Sequence, residues 1–223
     1  MIPNLIVMLT YNDQTVQDAL KVFTEARDSL ATHWGFKDIG LPHDQMKQLV
    51  DQMRRAGKTT YLEVVRYSES ECMESASLAV DCGFDYLMGT VYYDSVGRFL
   101  KGKSIKYFPF CGKVSGSPSI LEGSLDQIVE DGQLIARQGV DGFDLLAYRH
   151  TTDPEGLARR FIREINLPVV MAGSIASYER LDRVKDLSPW GFTIGSAFFD
   201  HKFGKTFSFA EQINQVVTYM EKS

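Results

Sequence analysis

The chain has 223 residues, a formal net charge of −5 and an ordinary balance of apolar and charged residues. That length suits one α/β barrel as well as two small domains, and no run approaches the roughly 18 apolar residues of a membrane helix. The acidic balance, with no basic stretch interleaved with aromatics, leaves no electrostatic footprint for nucleic acid, and nothing points to a membrane partner.

In chain order, short apolar runs alternate with helix-period stretches. The opening MIPNLIVMLTYNDQ lacks a basic region and turns polar quickly, which fits a first strand (5–9) better than a signal peptide. Seven further runs follow: WGFKDIG (34–40), TTYLEVV (59–65), FDYLMGT (84–90), KYFPFCG (106–112), DGFDLLAY (141–148), LPVVMAG (167–173) and WGFTIGS (190–196). Each is long enough for one strand and apolar on both faces, as buried parallel strands are.

Between them lie amphipathic helices. Met46, Leu49, Val50 and Met53 share one face of a helix, and Leu157, Phe161, Ile162 and Ile165 share a face of another. SESE (68–71) and SLDQ (124–127) predict capping boxes, and Asp153-Pro154 predicts an N-cap before a helix-opening proline. Strand then helix, eight times, predicts an α/β fold, a single (β/α)8 TIM barrel spanning 1–223 as one domain. The long loop 111–124, rich in Gly, Ser and Pro, reads either as a plain surface loop or as a lid over the barrel mouth.

Cys72, Cys82 and Cys111 are odd in number and lack zinc-ligand spacing, so the expected setting is the reducing cytoplasm, with Cys72 and Cys82 in the core. No G-x-G-x-x-G follows a strand, and GKVSGSPS lacks the spacing and Lys-Ser/Thr ending of a P-loop. No cofactor is expected.

The last two strands end alike, in AGSI and TIGSAF. Glycine lets the backbone approach an oxyanion, and amides at a helix start favour negative charge. Gly173, Ser174, Gly195 and Ser196 are therefore the predicted phosphate site, with Ile175 and Ala197 completing the two helix starts. These motifs resemble the ribulose-phosphate-binding barrel superfamily, which includes phosphosugar epimerases, indole- and histidine-pathway barrels and sugar-phosphate decarboxylases. The resemblance covers the strand–helix order of the whole chain and is sharp over about 168–200. It implies a phosphorylated small-molecule substrate without choosing a reaction. Pentulose-phosphate epimerases of that superfamily bind metal through His and Asp at strand ends. Here His33, His43, His150 and His201 are scattered, so no metal site is expected.

A charged residue on a barrel strand is least costly in the lumen near the mouth. Lys37, Glu63 and Asp144 are the catalytic candidates on this ground. Glu63 is the candidate general base; Lys37 would stabilise an enediolate or form a Schiff base; Asp144 lies deep in its strand. For Lys37 and Glu63 the alternative is a structural ion pair. Tyr148, Arg149 and Thr90 are further substrate-binding candidates, with Thr10, Asp38, His150 and Lys113 behind them. AFFDHKF (197–203) either packs beneath the last helix or forms a homodimer interface. The reaction expected is that of a phosphosugar isomerase or epimerase; the alternatives are an aldolase or decarboxylase and a non-catalytic phosphometabolite-binding protein.

Overall fold

A computed structural model describes residues 2–116 and 118–222. Eight parallel strands form the barrel: β1 (Asn4–Met8), β2 (His33–Lys37), β3 (Thr59–Arg66), β4 (Tyr86–Thr90), β5 (Lys106–Phe108), β6 (Phe143–Leu145), β7 (Val169–Met171) and β8 (Gly191–Ile194). Each lies within one of the eight apolar runs or overlaps it by all but a residue or two. β8 pairs with β1, and the sheet runs unbroken from β6 through β7, β8 and β1 to β5. The remaining seam, β5 to β6, is closed by backbone bonds from Asp141 N to Tyr107 O (3.0 Å) and from Asp144 N to Pro109 O (3.1 Å).

Helices α1 (Ala19–Ala26), α2 (His43–Arg55), α3 (Glu69–Cys82), α4 (Asp94–Leu100), α5 (Leu125–Ala136), α6 (Pro154–Glu164) and α7 (Tyr178–Leu187) lie between the strands, with short α8 (Ser196–Phe199) and terminal α9 (Phe209–Glu221) after β8. Their starts are written in local chemistry. Ser68 and Ser124 form complete capping boxes, as does Ser208 on α9, and Asp153 caps α6 ahead of Pro154 by accepting from Gly156 N at 2.9 Å. Each cap is worth about 1 kcal/mol.

The core has two parts. Outward-facing strand residues such as Val7, Trp34, Phe36 and Leu62 pack against the helices. A smaller cluster fills the lower lumen: Ile6, Met8, Tyr61, Tyr86, Met88, Phe108 and Val170, with Trp190 against it. There Tyr61 stacks on Tyr86 at 4.4 Å between centroids, and its hydroxyl meets His33 Nδ1 at 2.6 Å. This plug leaves only the upper lumen for chemistry. Phe198 and Phe203 are buried, and Phe198 and Phe199 both pack on Phe209 of α9, so the phenylalanines of AFFDHKF pack beneath the last helix while Asp200, His201 and Lys202 are exposed. Among the described residues, no helix is long and apolar enough to cross a membrane.

Candidate active site

A cavity of about 260 Å³ opens at the C-terminal mouth of the barrel. Lys37 and Glu63 form part of its wall. They are register partners, Lys37 at the end of β2 and Glu63 within β3, and alternation turns both into the lumen, with Lys37 Nζ 3.5 Å from Glu63 Oε1. Both are buried.

A third charge joins them from the first hairpin, Thr10–Tyr11 paired with Gln14–Thr15. Its turn residues Asn12 and Asp13 have φ of 49° and 61°, the type I′ geometry that suits a right-twisted hairpin and that Asn and Asp tolerate. The turn brings Asp13 Oδ1 to 3.0 Å from Lys37 Nζ. Thr15 fixes the hairpin to β2: its hydroxyl accepts from Lys37 N (2.9 Å) and donates to Lys37 O (2.8 Å). Burial acts to lower the Lys37 pKa, but Glu63 and Asp13 outweigh it, so the ammonium is held above its usual range.

Asp144 of β6 sits fully buried among these groups, and neither carboxyl oxygen has a hydrogen-bond partner among the described residues. Burial, reinforced by the Glu63 charge and opposed by Lys37, raises its pKa well above the usual carboxylate range. It is not among the residues that line the cavity. Gly89 makes room for it. A Cβ there would lie 3.3 Å from Asp144 Oδ2 and 2.6 Å from Val64 O.

The two Gly-Ser ends line the same cavity: Gly173, Ser174, Gly195 and Ser196, together with Ile175 and Ala197. Close approach explains the glycines. A Cβ on Gly173 (φ 130°) would lie 2.8 Å from Tyr148 Cβ, and one on Gly195 would lie 2.5 Å from Thr10 Oγ1. The Ser196 hydroxyl accepts from Asn12 N at 3.3 Å. Arg149 follows in a 3-10 turn after β6 (Ala147–Arg149) and also lines the cavity, with no hydrogen-bond or ion-pair partner for its guanidinium among the described residues.

One helix start differs from expectation. Gly173 to Ile175 form a turn in which Ile175 N donates to Gly173 O at 2.9 Å, and α7 begins only at Tyr178, capped by Ser177. The β7 loop thus brings a tight turn, not a helix start, to the cavity. On β8 the expected short helix does follow directly, with Gly195 as its N-cap.

Several candidates lie elsewhere. Thr90 is buried on the helix side, its hydroxyl 2.6 Å from the Tyr107 hydroxyl. Gly89, at φ 85°, breaks the in–out alternation just before it. Tyr148 packs beneath the Arg180 guanidinium (4.0 Å to the ring centroid) and against Gly173, outside the cavity lining. His150 is structural in its contacts, with Nε2 3.0 Å from Gly123 O and Nδ1 accepting from Asp153 N. Lys113 is exposed and pairs with Glu122. Asp38 faces the helices, where it binds Arg66 and Ser75.

The long loop is a hairpin, Lys113–Ser115 with Ile120–Glu122; Ser117 lies outside the described residues. Ser119 reaches the cavity wall while the Tyr67 hydroxyl meets its Oγ at 2.9 Å and donates to Gly116 O at 2.7 Å. Residue-by-residue reading missed Asp13, Thr193, Ser119 and Asp200, all in the cavity wall. Only Asp13 left a signal, the Asn-Asp pair between two short β-forming stretches. Among the described residues, the one trio with donor atoms spaced for a metal is His43, Asp81 and Cys82. It lies on the outside between α2 and α3, and its carboxylate is already held by Lys47 at 3.2 Å.

No family model matches the chain, and no curated protein does. Solved structures do resemble it. The N-acetylmannosamine-6-phosphate 2-epimerase from Clostridium perfringens is 12% identical over 87% of this chain and 86% of that one, with a TM-score of 0.63. The tryptophan synthase alpha chain from Legionella pneumophila is 14% identical over 98% and 92%, at a TM-score of 0.66. A 4-hydroxy-2-oxoglutarate/2-dehydro-3-deoxyphosphogluconate aldolase is 12% identical over 97% and 94%, at 0.63. At such identities the likeness is one of architecture: the chain is a (β/α)8 barrel and shares its fold with these structures.

Proposed function

We propose that the chain is an enzyme acting on a small phosphorylated metabolite, a sugar phosphate, by proton transfer next to a carbonyl, as an isomerase or epimerase does. One observation carries the reading: the Lys37–Glu63 pair shares a cavity with both Gly-Ser ends and with the unpaired Arg149. Gly173, Ser174, Gly195, Ser196 and Arg149 hold the phosphate. Glu63 removes the proton from the carbon beside the carbonyl, and the electron pair moves onto the carbonyl oxygen. The Lys37 ammonium stabilises that oxygen as it gains charge. Return of the proton to the same carbon, or to its neighbour, gives the epimer or the isomer. Burial and the Glu63 charge both raise the Asp144 pKa, which disfavours a second negative charge against Glu63.

The lyase alternative through a Schiff base asks Lys37 to be an unprotonated amine. Two carboxylates hold it as the ammonium, which favours the electrostatic role. An epimerase on a sugar phosphate and an aldolase both occur among the proteins of similar fold, so the fold is compatible with either.

The test is incubation in deuterated water with a panel of sugar phosphates, read by mass spectrometry. The expected result is substrate-dependent deuterium incorporation that falls by about 10²-fold or more in Glu63→Gln. Binding without exchange in any substrate would instead support a non-catalytic binding protein, and undiminished exchange in Glu63→Gln would remove Glu63 as the base.

A further inference from the structure

We infer that the cavity is built for a ligand with one anionic group: a sugar monophosphate whose remainder is uncharged, to the exclusion of bisphosphates and phosphorylated sugar acids. This rests on the phosphate reading above and narrows it. Five charged side chains line the cavity, the cations Lys37 and Arg149 and the carboxylates of Asp13, Glu63 and Asp200. Lys37 is already engaged, by Asp13 at 3.0 Å and Glu63 at 3.5 Å. Arg149 alone of the two cations has no carboxylate beside it among the described residues. It directly follows Tyr148, which packs on Gly173, so the uncommitted positive charge stands beside the β7 turn.

The lining contributed by the first hairpin and the end of α8 is furnished differently. Asp13 hangs from the hairpin turn, and Asp200 closes α8 beside Tyr11, whose hydroxyl is pushed above its usual pKa by the Asp200 charge. The Thr10 and Thr193 hydroxyls line the same cavity. Carboxylates and hydroxyls accept from and donate to sugar hydroxyl groups, whereas a second phosphate or a carboxylate placed there meets like charge with no free cation. Like-charge juxtaposition of this kind is how sites reject near-analogues.

Calorimetric titration of matched ligands tests the inference: fructose 6-phosphate against fructose 1,6-bisphosphate and 6-phosphogluconate, and ribulose 5-phosphate against ribulose 1,5-bisphosphate. At least one monophosphate is expected to bind about tenfold or more tightly than its doubly anionic counterparts. Asp200→Asn, an exposed substitution, is expected to narrow that ratio by selectively improving the doubly charged ligand. Equal or tighter binding of the bisphosphates, or a ratio unmoved by Asp200→Asn, would overturn single-anion selection and leave the phosphate site standing. Failure of all five ligands and of inorganic phosphate to bind would overturn the phosphate reading itself.

Discussion

Glu63 and Lys37 face each other across adjacent strands, in register, with 3.5 Å between Oε1 and Nζ and both side chains about nine-tenths buried. Neither could be buried there alone, because an unpaired charge in such a setting is costly. The pair is therefore a structural unit as well as the proposed reacting unit, and the two roles are separable by experiment.

Removing one partner strands the other. Lys37→Met is expected to destabilise the fold by roughly 3–5 kcal/mol in chemical denaturation. The double variant Lys37→Met/Glu63→Leu is expected to recover much of that loss while remaining without proton-exchange activity. A double variant no more stable than the single one would show that the pair does not hold the two charges in balance.

Asp144 makes a prediction about pH. Its carboxyl pKa is raised in the folded state by burial and by the neighbouring Glu63, so the native protein binds a proton that the unfolded chain releases near pH 4. Stability attributable to this group is complete below that pH and declines as pH rises toward the folded pKa. Asp144→Asn is accordingly expected to melt above the parent at pH 8, with the gap closing toward pH 3. Parallel melting curves at all pH values would contradict the raised carboxyl pKa.

Two glycines with similar backbone angles should respond differently to the same change. Gly89 has φ 85° and a Cβ position 2.6 Å from Val64 O; Gly139 has φ 86° and nothing within 4 Å. Gly139→Ala is expected to cost only the left-handed backbone penalty, about 1–2 kcal/mol. Gly89→Ala adds a backbone collision beside Asp144 and is expected to cost about 2 kcal/mol more. Urea denaturation of the two variants gives the comparison directly.

The barrel was legible because its strands are buried on both faces, so each appears as a short apolar run between capped helices. The facing of Lys37 and Glu63 needed the β2–β3 register, since a slip of one residue reverses every side chain. Thr90 closes its strand as expected, but the positive φ at Gly89 breaks the in–out alternation just before it, and its hydroxyl meets Tyr107 and not the cavity. Asp13 was hidden because its approach to Lys37, 24 positions further along the chain, depends on a hairpin folding across the mouth. Ser174 lines the cavity, but the helix start expected beside it lies at Tyr178, where the Ser177 side chain does the capping.

The central claim is that this cavity holds a phosphorylated metabolite, and ligand-dependent thermal unfolding tests it most directly. A sugar monophosphate at about 100 times its dissociation constant should add about 2.7 kcal/mol of stability. The account predicts that such a shift occurs in the parent, is absent with the unphosphorylated sugar, and is largely lost in Arg149→Met. A melting temperature unmoved by every phosphorylated ligand, or moved equally by the unphosphorylated sugars, would contradict it.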